Sequence, residues 1–405
     1  MKRILSLITL LAICVSAAAR GGEQKAKYVF LFIGDGMGFS HISATEAYLA
    51  HSAGNKCGST PLTFTQFPVM GMATTFSANK PITCSSAAGT ALATGTKTKN
   101  HMLGMDPDTV ALKSIAYKIH DAGYKVGIMT TVGINHATPA SFYAHNASRS
   151  AYYEIGLELP ESGFEFFGGG GYLQPRGKDN DKPYLGDAAV KAGYTFARGK
   201  VEFEQKKCDR IIYTRGGEDP EGPLPYRFLR KDNDIILADV VKGAIEVLGN
   251  KSKGFFMMAE GGMIDFAAHA NDGANTFHEL MDFDEAIAVA YEFYKQHPDE
   301  TLIVVTADHE TGGITLGYNS GSVIDFSVFD ELNENAGSND TETYLNSKVV
   351  KKEYNEKAHL GWTTSGHTGG AVPVFAIGAG SQQFAGRQDN TDIPKKICKA
   401  MGIKF

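Results

Sequence analysis

Asp308-His309 directly follows Thr301 to Thr306 (TLIVVT), an apolar run that reads as a buried strand. In α/β sheets ligands gather beyond the carboxyl ends of strands, so two adjacent metal-type side chains are well placed there. The same grammar recurs. Asp35 lies in Gly34-Asp35-Gly36 after Tyr28 to Ile33, and Glu260 follows Gly254 to Ala259, with Asp265 and His269 just beyond. Residues four apart share a helix face, so Asp265 and His269 can grip one ion. His367, in the flexible loop Ser365 to Gly370, completes the set. Singly, each has a plainer reading: a helix cap, a turn, an ordinary helical contact or a surface histidine. Together they present four carboxylates. Converging without counter-charge these would repel, since a buried unpaired ion costs several kcal/mol, and bound cations resolve that.

A nucleophile has its place in Pro81 to Gly95 (PITCSSAAGTALATG). Small residues from Ser85 onward read as a helix start, where free N–H groups and the positive dipole end attract phosphate and favour an alkoxide. Cys84, Ser85 and Ser86 all compete for the role, and spacing alone does not choose. A capped, tightly packed helix without chemistry would look the same.

The elements that must position these residues alternate along the chain. Apolar runs at 28–33, 125–131, 254–259, 301–306 and 371–377 read as strands, with Pro373 pointing to an edge or irregular position for the last. Helix-like segments at 114–122, 235–248, 275–296 and 392–401 lie between them. The pattern predicts one large α/β domain over 20–405, with a mostly parallel central sheet flanked by helices on both faces. Two stretches break the rhythm, about 164–230 and 318–359, and read as decorating insertions that shape the entrance to the site.

Composition narrows the function. With 43% apolar and 21% charged residues among 405, disorder and a membrane-spanning bundle are poor readings, and a net charge of −6 leaves no footprint for nucleic acid. Residues 1–19 read as an export signal: Lys2 and Arg3, an apolar stretch to Val15, then small residues with cleavage near Ala18 or Ala19. No other segment supplies the roughly 18 apolar residues of a transmembrane helix. The expected location is periplasmic or secreted. Cys57, Cys84, Cys208 and Cys398 remain after cleavage and allow three pairings, none of which the spacing selects.

In order along the chain stand IGDGMG (33–38), TCSSAAGTALATG (83–95), HATPA (136–140), EGGMIDFAAHA (260–270), TADHETGG (306–313) and SGHTGG (365–370). By these motifs the chain resembles the metal-dependent alkaline phosphatases from Lys27 to its end. The resemblance implies a phosphate monoester hydrolase working through a phosphoserine on Ser85. It implies one zinc ion on Asp265, His269 and His367, a second on Asp35, Asp308 and His309, and a third ion, usually magnesium, on Glu260, Thr138 and Asp35. Arg149 corresponds to the guanidinium that grips phosphate, and a homodimer is implied. Three divalent ions against four carboxylates, with Arg149, leave the pocket at about +3, suited to a dianionic phosphate.

Three positions depart from the best-known bacterial pattern. Cys84 replaces an Asp before the nucleophile, removing a partner for Arg149, which is therefore expected to be more mobile. His136 replaces an Asp near the third metal, and an imidazole draws that site toward zinc or cobalt. Phe266 stands where the pattern has a Lys near phosphate, which implies weaker product binding. The competing readings are a phosphodiesterase of the same superfamily and an exported metal- or phosphate-binding protein without turnover. A sulfatase is disfavoured because Cys84 is not followed by the required Pro and Arg. The remaining histidines, His41 among them, read as surface or packing residues.

Overall fold

The structure is a computed structural model describing residues 25–55, 57–206, 208–320, 323–334 and 339–405. The expected export segment lies outside these residues. Ten strands build the main sheet: β1 (Tyr28–Gly34), β2 (Val69–Thr74), β3 (Lys125–Thr130), β4 (Phe166–Gly169), β5 (Thr195–Arg198), β6 (Ile211–Thr214), β7 (Phe255–Gly261), β8 (Thr301–Ala307), β9 (Val372–Gly378) and β10 (Gly386–Asp389). Their order across the sheet is β10-β2-β9-β8-β1-β7-β3-β4-β6-β5. All neighbours are parallel except β9, which runs antiparallel to both β2 and β8. The helices used below are α1 (Phe39–Ser52), α2 (Ser85–Thr94), α3 (Leu237–Gly249), α4 (Met263–His269), α5 (Gly273–Gln296), α6 (Lys348–Lys357) and α7 (Asp392–Met401).

Helices cover both faces of the sheet, so its central strands are apolar without alternation: every residue of β7 and β8 is buried. The edge differs. Along β2 burial alternates, with Met70 and Met72 exposed between buried neighbours. Helix ends follow from local chemistry: the Asp272 carboxylate caps α5 by accepting from the Asn275 N–H at 3.0 Å.

Two expectations change. The stretch 164–230 does more than decorate, because β4, β5 and β6 extend the central sheet beyond β3. Four-residue strands amid Gly, Lys and Asp carry too little periodicity to stand out. Nor does Pro373 mark an edge, since β9 lies between β2 and β8. The proline is tolerated near the strand start, where the ladder with β8 begins only at Val374.

The stretch 318–359 contributes to a second, smaller apolar cluster, with Phe326, Phe329, Tyr344 and Ala358 in one group with Tyr48 of α1 and Phe277 of α5. One polar anchor ties it down: Asp272 accepts from Tyr344 Oη at 2.7 Å and lies 3.3 Å from Lys351 Nζ. This holds α6 next to the end of α4.

Gly169 ends β4 with φ of 128°, and a β-carbon there would be driven into the Thr130 carbonyl of β3. Gly163 also has positive φ, 70°, but open space around it. Gly163→Ala is expected to cost about 1–2 kcal/mol, the left-handed penalty alone. Gly169→Ala should cost clearly more, roughly 3 kcal/mol or above, since backbone must shift as well. Denaturant unfolding of both variants checks this, and equal losses would contradict it.

Candidate metal centre and active site

The sheet register sets the site. Parallel pairing aligns Gly34 of β1 with Gly261 of β7 and Ala307 of β8, and Thr130 of β3 with Glu260. Asp35, Glu260 and Asp308-His309 therefore emerge at one level, where β1, β7 and β8 end side by side. Asp265 and His269 lie on α4 just after β7, as their spacing requires. His367 is not on a free loop. His367-Thr368 pairs antiparallel with Glu310-Thr311, directly after His309, and this ladder stacks the His367 and His309 rings with centroids 3.6 Å apart.

All seven expected side chains come together. Three groups have ligand atoms mutually within 4.8 Å: Asp265, His269 and His367; Asp35, Asp265 and His309; and Asp35, His136 and Glu260. Asp308 joins the second through its Oδ2, 3.2 Å from His309 Nε2. Thr138 Oγ1 is buried nearby. The carboxylates are deeply buried, and several of their oxygens have no hydrogen-bond donor: both of Asp35, Oε1 of Glu260 and Oδ2 of Asp308. Burial first, then the neighbouring carboxylates, pushes Asp35 well up and Asp308 up to about 8; burial pushes Glu260 up to about 7.

The imidazoles show what the oxygens await. Their tautomers follow from the hydrogen-bond network. His269 Nδ1 donates to the Ser365 carbonyl at 2.6 Å, and His367 Nδ1 to the Thr83 carbonyl at 2.9 Å. The Thr311 hydroxyl donates to Asp265 Oδ1 at 2.6 Å, so His309 Nδ1, 3.2 Å away, must donate to Thr311. Each ring thus turns a bare Nε2 lone pair inward. His269 Nε2 and His367 Nε2 face each other at 3.1 Å, and His309 Nε2 meets Asp35 Oδ1 at 3.3 Å. Lone pairs opposed at such distances repel unless a cation lies among them, and neutral imidazoles with carboxylates suit zinc. The donor set fits metal.

Geometry separates the three nucleophile candidates. Cys84 Sγ is 3.2 Å from Ser86 Oγ and accepts from the His101 N–H at 3.1 Å. Ser85 Oγ instead lies 3.2 Å from His309 Nε2, at the first turn of α2. Only Ser85 faces the cluster.

His136 is arranged differently from the other rings. Its Nε2 accepts from Arg149 Nη2 at 3.0 Å, so the proton rests on the buried Nδ1. Burial and the adjacent guanidinium push this imidazole down to about 3. Arg149 thus has a side-chain partner despite the absence of an Asp at position 84, and its backbone N–H donates to the His101 carbonyl at 2.8 Å. Phe266 packs edge-on against His136, centroids 5.8 Å apart.

Two threonines outside the expected set, unlike Thr138, support the ligands. Thr311 orients Asp265 and His309 together, and Thr130 donates to Glu260 Oε2. Thr311 stood inside TADHETGG and was open to notice; Thr130 is an ordinary strand residue until β3 is paired with β7. His41 is buried, as a packing residue would be, with its ring edge-on to Trp362 at 6.1 Å.

A family model described as alkaline phosphatase matches residues 26–169 and 166–403. Alkaline phosphatase 3 of Bacillus subtilis is 32% identical over 94% of this chain and 90% of its own. The cold-active alkaline phosphatase of the psychrophile Shewanella sp. superposes with a TM-score of 0.81 at 28% identity, covering 92% of this chain and 99% of that one. A variant of the alkaline phosphatase of the Antarctic bacterium TAB5, with a histidine replaced by glutamate and magnesium bound in its M3 site, gives a TM-score of 0.76 at 29% identity, covering 95% and 100%. With the register, the converging ligands and the aimed serine, these matches lead to one conclusion: the chain belongs to the alkaline phosphatase family and is an enzyme of that kind.

Proposed function

We propose that the enzyme hydrolyses phosphate monoesters through a phosphoserine on Ser85. The observation carrying this reading is Ser85 Oγ lying 3.2 Å from an imidazole whose lone pair points into a cluster of donor-less carboxylate oxygens. Asp265, His269 and His367 would hold one zinc ion, and Asp35, Asp308 and His309 a second. Asp35, Glu260, Thr138 and His136 would hold a third. When bound, such ions supply Lewis-acid charge that favours an ionised hydroxyl or water and neutralises charge building on phosphate oxygens.

The protein's own groups do the positioning. Ser85, on the first turn of α2, aims its hydroxyl oxygen where the helix N–H groups and dipole favour negative charge. Its attack on phosphorus forms a P–O bond as the bond to the alcohol breaks, and attack by water then returns free Ser85 and inorganic phosphate. The planar fork of Arg149 can hold two non-bridging oxygens. His136 offers a ligand atom to an ion at Nδ1 only by giving up its bond from Arg149, which frees that guanidinium for phosphate. A homodimer, taken from the family resemblance, is part of the same proposal.

The third site follows ligand hardness. Magnesium prefers oxygen, and imidazole suits zinc or cobalt. The TAB5 variant in which a histidine is replaced by glutamate has magnesium bound in its M3 site, in line with that rule.

Three outcomes are expected. Ser85→Ala should lower monoester turnover by at least about 1000-fold while leaving metal content, measured by atomic emission, unchanged; near-normal turnover would move the role to Cys84 or Ser86. His136→Asp should shift the third site from zinc or cobalt toward magnesium in metal analysis of dialysed protein. Stability should depend on pH in the metal-free protein. Carboxyls raised to about 7 (Glu260) and about 8 (Asp308) keep protons that the unfolded chain loses at about pH 4, so stability falls as pH rises from about 4.5 and levels off above about 8. Bound zinc keeps them ionised and should remove most of that fall, leaving the background from Glu279, itself raised to about 8 by burial away from the site. Thermal melts of chelator-treated and zinc-restored protein across this range provide the check.

A further inference from the structure

A cavity of about 230 Å³ opens beside the metal cluster. It is lined by His269, Ser365 and Trp362 together with Lys348, Lys351, Lys352 and Glu356 of α6. The three ammonium groups have different situations. Lys351 is buried and committed: Nζ donates to the Leu345 carbonyl at 2.9 Å and pairs with Asp272 at 3.3 Å, anchoring α6. Lys348 and Lys352 are exposed, and the carboxylate paired with Lys352, that of Glu356 one turn along, is 3.7 Å away. Such a pairing holds a lysine weakly and leaves its charge available.

The direction of the chemistry gives the cavity its meaning. In-line displacement sets the attacking and departing oxygens on opposite sides of phosphorus. Ser85 Oγ lies against His309, so the departing oxygen belongs toward the other ligands, Asp265, His269 and His367, and the cavity begins at His269. Resting on the monoesterase reading, we propose that this cavity receives the leaving group, and that Lys348 and Lys352 favour monoesters whose leaving group carries a further anionic group, a carboxylate or a second phosphate. The stretch 318–359, held by the contact of Asp272 with Tyr344 and Lys351, is then a specificity element.

The test compares phenyl phosphate with 3-carboxyphenyl phosphate, using zinc-loaded full-length enzyme. The quantity read is the ratio of their kcat/KM values, in which intrinsic reactivity cancels between protein variants. The double variant Lys348→Glu/Lys352→Glu should lower the preference for the carboxylated ester about tenfold, and Lys348→Gln/Lys352→Gln by an intermediate factor, with thermal melts confirming that both fold. Preference in the unaltered enzyme should also shrink between low salt and about 0.5 M salt, where charges are screened within a few ångströms. An unchanged ratio in folded variants, with phenyl phosphate still turned over, overturns the subsite alone. Failure of the unaltered enzyme to hydrolyse phenyl phosphate overturns the reading beneath it.

Discussion

Four carboxylates, Asp35, Glu260, Asp265 and Asp308, are buried within one small volume, and four of their oxygens have no hydrogen-bond donor. Left ionised and uncompensated they would destabilise the fold by several kcal/mol apiece. Left protonated they would be poor ligands, and the rises of Glu260 and Asp308 show which way the bare site leans. Divalent cations relieve both problems at once. The same charge makes the site a receptor for phosphate, so folding, metal affinity and substrate class share one electrostatic cause.

Rigidity keeps that cause useful. Acidic groups placed on mobile loops could separate and hydrate; here three of the four follow or end parallel strands in fixed register, and Asp265 sits on a short helix launched from one of them. The imidazoles are locked from behind. Backbone carbonyls of Ser365 and Thr83 hold His269 and His367, and the Thr311 hydroxyl sets Asp265 and His309 together. Because Thr83 lies two residues before Ser85, the contact to His367 also ties the nucleophile's loop to the ligand cluster. Outer contacts of this kind fix tautomer and ring orientation, on which metal affinity depends.

The departures from the bacterial pattern make local sense as a group. Cys84 turns toward Ser86 and the His101 N–H, while Arg149 takes His136 as its partner. Phe266 packs on the same ring. An apolar and imidazole environment thus surrounds the guanidinium where the pattern has carboxylates and a lysine. Farther out, the region 318–359 brings a small apolar core and a lysine-bearing wall to a cavity that also touches His269 and Ser365.

Sequence by itself determined the central strands, the helices within 114–122, 235–248, 275–296 and 392–401, and the set of metal-type side chains, though not the 14-residue α1. Apolar runs and residue chemistry are local properties, and the ends of β1, β7 and β8 were each visible where the acids stood. The register between those strands, the three strands within 164–230 and the interior place of β9 came only from the tertiary structure, as did the geometry that sets Ser85, already implied by the motif resemblance, apart from Cys84 and Ser86. So did the support of Thr130 and Thr311 and the pairing of Arg149 with His136. The reason is physical: each of these depends on which segments, distant along the chain, are brought to hydrogen-bonding distance, and no window of neighbouring residues contains that distance.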